Sequence, residues 1–313
     1  MRQAAAEAWK YCDPENYDLK QALAAHHRVS PDNIVVGEGI DGLFGYLVRM
    51  FVEPGVTVAT SLGAYPTFNF HVTGFGGRLV TVPYRADRED PAALAVLAAS
   101  ERARLIYFAN PDNPMGTWWD AATVRKLIED VPAGAVLCLD EAYIDFAPEG
   151  TAPPLDPADP RVIRFRTFSK AHGMAGARVG YAIGEAELIK RFDAIRNHFG
   201  VNRVAQEGAY ASLGDPEFIA GVVRAVTAGR RDYEALAGEL GLKTLPSMTN
   251  FVAIDLATAE RATTAMRRLL EDEAVFVRMP GVAPLNRCIR VTVGTPDQRR
   301  AFADAFRRVV ARL

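Results

Sequence analysis

The chain has 313 residues, of which 49% are hydrophobic, and a formal net charge of −2. That is enough apolar material for one large domain or two smaller ones, and the near-zero charge gives no electrostatic footprint for a nucleic-acid partner. No apolar run approaches the ~18 residues that a membrane span needs, and Cys12, Cys138 and Cys288 are odd in number and lack metal-ligand spacing, which points to a reducing compartment such as the cytoplasm.

Residues 2–10 read as a polar amphipathic segment without a signal core, with helices expected at 4–9 and 19–26. Tyr11-Cys12-Asp13-Pro14-Glu15 is a turn between them. Ile34-Val35-Val36 is a short buried strand, followed by Gly37-Glu38-Gly39-Ile40-Asp41-Gly42 and a helix to about residue 51. The glycines match the G-x-G-x-x-G dinucleotide fingerprint. That fold also wants an acid ending the next strand, ~20 residues on. The next strand, Thr57-Val58-Ala59-Thr60, runs into Ser61-Leu62-Gly63-Ala64-Tyr65 with no acid. The glycines can instead expose amides at a helix start, where any phosphate binds well.

Tyr65-Pro66-Thr67 places a tyrosine at the end of this second strand, able to present its ring to a flat ligand. Strands follow at 78–83 and 105–108, with a helix at 91–100 between them. The latter strand enters Asn110-Pro111-Asp112-Asn113-Pro114-Met115-Gly116-Thr117, whose Asn-Pro pairs stiffen the loop and immobilise Asn113. A helix is expected at 121–130. Ala135-Val136-Leu137-Cys138-Leu139 is a continuous apolar strand of the kind found in a parallel sheet covered on both faces, and Asp140-Glu141-Ala142-Tyr143 ends it. A buried carboxylate there needs a partner. Residues 147–160 form a Pro-rich loop before a strand at 161–165.

Thr167-Phe168-Ser169-Lys170 follows that strand, with Arg178 downstream. A lysine at a strand end among small residues can form a Schiff base with a carbonyl. Thr167, Ser169 and Arg178 supply the donors that a phosphate beside it would need. Strands thus alternate with helices, and the polar motifs fall at strand carboxyl ends, where open α/β sheets bind ligands. Beyond them come helices at 185–198 and 203–213, a long helix at 215–240, a strand at 250–256 and a helix at 258–271. Strands at 275–278 and 288–293 and a last helix at 296–312 complete the chain.

Asn113-Pro114, Asp140-Glu141-Ala142-Tyr143, Ser169-Lys170 and Arg178 occur in that order, and together they resemble the class I/II aminotransferases, fold type I enzymes that use pyridoxal 5'-phosphate. The resemblance spans the whole chain. The histidinol-phosphate aminotransferase branch is most similar, through Tyr11 to Glu15, Gly37 to Asp41, Asn110 to Pro114, Asp140 to Phe146, Thr167 to Gly180 and Cys288 to Gly294.

The resemblance implies an α/β fold: a mostly parallel sheet covered by helices in a large cofactor domain, 1–213, then a smaller α+β domain, 214–313, entered by the long helix. Residues 1–28 would be the remnant of an amino-terminal segment. It also implies roles. Lys170 would carry the cofactor and move a proton, while Asp140 would pair with the pyridine nitrogen. Asn113 and Tyr143 would bond the ring's 3-oxygen, and Tyr65 would stack on its face. Thr167, Ser169, Arg178 and the Ile40, Asp41 and Gly42 amides would hold the phosphate, and Tyr11 would reach the phosphate of a neighbouring subunit in a homodimer. Arg290, with Arg278 as a second contact, would grip the substrate's anionic group.

The expected reaction moves an amino group from a small L-amino donor, first L-histidinol phosphate, to 2-oxoglutarate. Aromatic amino acids, or decarboxylation by a relative such as a threonine-phosphate decarboxylase, are the alternatives. There are two departures. Ser-Asp-Glu, usual after the second glycine, is here Ile40-Asp41-Gly42, which leaves the backbone donors intact. The family's arm, with an Asn-Glu motif and an aromatic residue that close over the substrate, has no counterpart before Met1. Substrate affinity is therefore expected to be weak while the cofactor still binds.

Overall fold

The computed structural model describes residues 1–313. In chain order the elements are α1 (Arg2–Ala6), α2 (Tyr17–His27), β1 (Ile34–Gly37), α3 (Ile40–Phe51), β2 (Thr57–Ser61), α4 (Pro66–Gly74), β3 (Arg78–Val82) and α5 (Pro91–Ser100). Next come β4 (Leu105–Ala109), α6 (Ala121–Glu129), β5 (Val136–Asp140), β6 (Val162–Thr167), β7 (Gly180–Ile183), α7 (Ala186–Lys190) and α8 (Arg203–Leu213). The last are α9 (Pro216–Glu239), β8 (Lys243–Thr244), β9 (Phe251–Asp255), α10 (Ala259–Glu271), β10 (Cys288–Thr292) and α11 (Pro296–Val310).

Seven strands form one sheet in the order β1-β7-β6-β5-β4-β2-β3. From β6 to β3 all neighbours are parallel, whereas β7 is antiparallel to both β6 and β1. Alternate side chains of the central strands enter different cores. Tyr107 and Cys138 join Phe44, Phe68 and Phe165 under α3 and α4. Ile106, Phe108, Leu137 and Leu139 join Leu94, Val124 and Leu127 under α5 and α6. This two-sided burial explains the unbroken apolar runs, because neither face of a parallel strand meets water.

A second sheet, β10-β9-β8, is antiparallel. With α9, α10 and α11 it encloses a separate core around Tyr233, Ile254, Leu269, Ile289, Phe302 and Phe306. The helix starts in this half are capped as their sequences require: the Asp215 carboxylate accepts from the Phe218 amide at 3.0 Å, and Thr258 and Thr295 cap α10 and α11.

The fold is the expected α/β arrangement, with β7 and β8 as strands beyond those expected, and four further local expectations change. The first helix ends at Ala6 instead of continuing to 9. The helix expected at 185–198 stops at Lys190 and passes into a single tight turn. There Arg196 is drawn to Pro14 and Glu15, and the Asn197 amide to the Tyr46 hydroxyl, so distant partners replace the helical ladder. The strand expected at 275–278 is only a bridge, in which Arg278 and Arg290 exchange backbone hydrogen bonds of 3.1 and 2.6 Å. Residues 66–74, read as no element, form α4. Pro66 starts it, and its inward face is only Phe68 and Val72, too sparse a pattern to read as helical periodicity.

Candidate active site

Because β2, β4, β5 and β6 are parallel, their carboxyl ends share one edge of the sheet. β1 points the same way, since β7 runs antiparallel to both it and β6. Tyr65, Asn113, Asp140, Lys170 and the start of α3 therefore come to one rim from stretches far apart in sequence. This is the edge at which open α/β sheets bind ligands.

Asp140 is the last residue of β5 and is buried. The Tyr107 hydroxyl donates to its Oδ2 at 2.7 Å, and the Ala142 amide to its Oδ1 at 2.9 Å. Burial pushes its pKa up, partly offset by those two donors and the Lys170 cation. Lys170 is half-buried without a carboxylate in ion-pair contact, its Nζ 5.0 Å from the centre of the Tyr143 ring. Burial lowers its pKa, as do the nearby Arg290 and Arg178. A lysine that readily gives up its proton is the state an imine-forming amine requires.

Tyr143 meets Phe251 edge to face with ring centres 5.4 Å apart, and burial pushes its hydroxyl pKa up. Phe251 also carries the Arg290 guanidinium over its face at 4.7 Å. Arg290 donates to Asn113 Oδ1. Burial lowers the Arg290 pKa, and Arg278, bridged to it along the backbone, adds to that effect. Arg290 beside Asn113 and Tyr143, with Arg278 bridged to it along the backbone, concentrates positive charge where an anion can bind.

The rim also builds a cradle. Gly37 pairs with Gly180, which pairs with Thr167, so three strand ends align in one row. The Ser169 amide donates to Thr167 Oγ1 at 3.0 Å, which turns the chain toward Lys170. Arg178 takes a left-handed φ of 59° and donates to the Ala175 carbonyl at 3.0 Å. Its guanidinium lies against Gly39, where a Cβ would come within 2.4 Å. Ile40, Asp41 and Gly42 open α3, so their N–H groups have no acceptor within the helix. The Asp41 carboxylate lies 3.4 Å from His71 Nε2, which leaves only its backbone amide for the cradle.

Tyr11 is not brought to this rim. It is 84% exposed and packs on Phe199 with ring centres 5.1 Å apart. Several partners were not singled out from the sequence. Tyr107 orients Asp140, and Phe251 backs both Tyr143 and Arg290. Glu141 is buried in ion pairs with Arg164 and Arg166, at 2.5 and 2.9 Å. Asp112, which accepts from the Tyr84 hydroxyl and the Met115 amide, fixes the Asn113 loop. A tyrosine inside an apolar strand was the one available signal, since its hydroxyl must find a partner.

The sequence matches the family described as "Aminotransferase class I and II" over residues 2–306. The chain belongs to that family. It is a pyridoxal-phosphate-dependent aminotransferase of fold type I. It is 34% identical to histidinol-phosphate aminotransferase 2 of Carboxydothermus hydrogenoformans, a match over 99% of this chain and 86% of that protein. It is equally identical to histidinol-phosphate aminotransferase 2 of Pseudomonas fluorescens Pf-5, over 100% of this chain and 84% of that protein. Among solved structures, the histidinol-phosphate aminotransferase of Sinorhizobium meliloti in complex with pyridoxal-5'-phosphate superposes with a TM-score of 0.97 at 50% identity. That match covers 99% of this chain and 85% of the other.

The residues of the rim fit the aminotransferase cofactor. The buried Asp140 carboxylate has only neutral donors in contact, with no cation in ion-pair contact, and the less basic Lys170 has no carboxylate in contact. Beside them an arginine is packed so close to Gly39 that a Cβ there would fill the space.

Proposed function

We propose that this aminotransferase transfers the amino group of L-histidinol phosphate to 2-oxoglutarate. Arg290 beside Asn113, with Arg278 bridged to it along the backbone, carries this reading, because the pair offers positive charge to an anionic group at one end of the rim. The names of the relatives and of the 50%-identical structure favour this donor over an aromatic amino acid.

When bound, pyridoxal phosphate supplies the electron sink that stabilises negative charge at the donor's Cα. Lys170 would be the residue that anchors it, and its neutral amine would move the proton at the donor's Cα. Asp140 would keep the pyridine nitrogen protonated, which would give the buried carboxylate the cation in contact that it has not otherwise. Asn113 and Tyr143 would hydrogen-bond the ring's 3-oxygen, and Tyr65 would cover the ring. Thr167, Ser169, Arg178 and the amides of Ile40, Asp41 and Gly42 would hold the phosphate at the start of α3, where the helix dipole favours an anion. Arg290, seconded by Arg278, grips the substrate's anionic group. The cofactor half is residues 1–213 and the smaller half 214–313. The working unit is a homodimer in which the exposed Tyr11 reaches the partner's phosphate site.

Borohydride reduction of the loaded protein followed by peptide mapping tests the anchor. The label should fall on Lys170, and Lys170→Ala should lose both the label and turnover. Mapping to another lysine would overturn the assignment. Half-reaction spectra against histidinol phosphate, phenylalanine and tyrosine test the donor, with the first expected to react fastest.

A further inference from the structure

The ion pair that ties the segment between Arg278 and Arg290 to the large half plays no part in the roles above. Arg85, Ala86, Asp87 and Arg88 form a two-residue hairpin turn, with Arg85 and Arg88 exchanging backbone hydrogen bonds of 2.8 and 3.2 Å. Both central residues have positive φ, 50° at Ala86 and 63° at Asp87. Such turns favour Asn and Gly, and a strained backbone persists only where its surroundings fix it.

The turn delivers Asp87 to Arg287, with Oδ2 accepting from one guanidinium nitrogen at 2.7 Å. Arg287 uses its other nitrogens on Asp255 Oδ2 at 2.9 Å and on the Pro284 carbonyl at 3.1 Å. Both partners of the bridge are largely shielded, at 22% and 28% side-chain exposure. The hairpin also touches the loop that carries Asn113, since the Thr117 hydroxyl donates to the Asp87 carbonyl at 3.4 Å.

Arg287 closes the stretch that begins after Arg278 and lies three residues before Arg290. Within that stretch Leu285 is buried with Met115 of the Asn113 loop. It sits so close to Gly63, just before Tyr65, that a Cβ there would come within 2.9 Å. The segment joining the two arginines is therefore pinned to the rim at two points: Leu285 by packing, and Arg287 by charge.

We propose that Asp87 is a positioning residue for substrate binding, holding Arg287 so that Arg290 and Arg278 stay aimed at the substrate's anionic group. This rests on the reading of those two arginines as substrate contacts. Asp87 touches neither substrate nor cofactor. Its removal therefore weakens the grip on the donor and leaves the Lys170 anchor intact.

The test is steady-state kinetics of the full-length, cofactor-loaded enzyme with its best donor, alongside borohydride-trapped cofactor per chain. Asp87→Asn keeps a residue that tolerates positive φ and removes only the charge. It should raise KM by about three- to tenfold, the range of one partly replaced charged hydrogen bond, with kcat and trapped cofactor near wild type. Asp87→Glu should recover most of the loss. Asp87→Asn combined with Arg287→Ala should be no worse than Arg287→Ala alone, because Asp87 acts only through Arg287. An unchanged KM in Asp87→Asn, with Arg290→Ala raising it, would overturn the proposal and spare the reading beneath it. An unchanged KM in Arg290→Ala would overturn that reading, and the proposal with it. Loss of trapped cofactor in Asp87→Asn would point to general damage and also overturn the proposal.

Discussion

Asp140 ends an apolar strand and receives only the Tyr107 hydroxyl and the Ala142 amide, both neutral. A charge so placed is costly unless a cation meets it, so Asp140→Asn should keep the fold but slow turnover by about 100- to 1,000-fold, as when a preorganised electrostatic partner is removed. Single-turnover rates would check this, and a near-normal rate would rule the role out. Glu141, next in sequence, behaves differently. Burial raises its pKa, but Arg164 and Arg166 outweigh that and hold it at about 2. A carboxyl depressed in the fold adds stability above its unfolded pKa, about 4.3. That stability is lost as pH falls from there toward 2. Thermal melts should therefore show a steep decline in that window. Glu141→Gln should flatten it, at a cost of about 3–5 kcal/mol at neutral pH from the stranded arginines.

The start of α3 works as an element because three glycines let backbones meet. Gly37 and Gly180 pair in register beside Thr167, and Gly39 turns at φ 83° directly under the Arg178 guanidinium. Gly39→Ala would place a methyl 2.4 Å from that guanidinium, in a backbone region unfavourable to side chains. Strain of about 1–2 kcal/mol is expected. Displacing the arginine should also raise the cofactor dissociation constant by about tenfold or more. Fluorescence titration of apoprotein with pyridoxal phosphate measures this. An affinity equal to wild type would mean that Arg178 and the α3 amides do not form the phosphate cradle.

For the molecule as a whole, Tyr11 stands 84% exposed on Phe199, with Trp9 exposed beside it in sequence. An uncovered aromatic pair is what a second copy of the chain would bury. The protein should therefore behave as a dimer in light scattering, and Tyr11→Ala should lower cofactor affinity with little change in its melting temperature. A monomer with normal turnover would overturn the shared site. No helix is long and apolar enough to cross a membrane.

Much of this arrangement was legible in the chain. Apolar runs bounded by polar turns marked the central strands, because both faces of a parallel strand are buried and composition alone then reports them. The order Asn113, Asp140, Lys170 marked the rim, since each lies at or just past the carboxyl end of a strand, whereas Arg178 lies just before β7. What remained hidden depends on contacts between distant segments. The break after Lys190 follows from Arg196 reaching Pro14 and Glu15, and the lone Arg278–Arg290 bridge from β10 having no other neighbour on that side. Tyr107 under Asp140, and Asp87 on Arg287 at 200 positions' separation, carry no local pattern. Sequence fixes what a backbone does with its neighbours, through propensity, periodicity and capping. Which buried hydroxyl or carboxylate meets which cation is settled only when the sheet brings the strand ends together, because an unpaired polar group is costly only once water has gone.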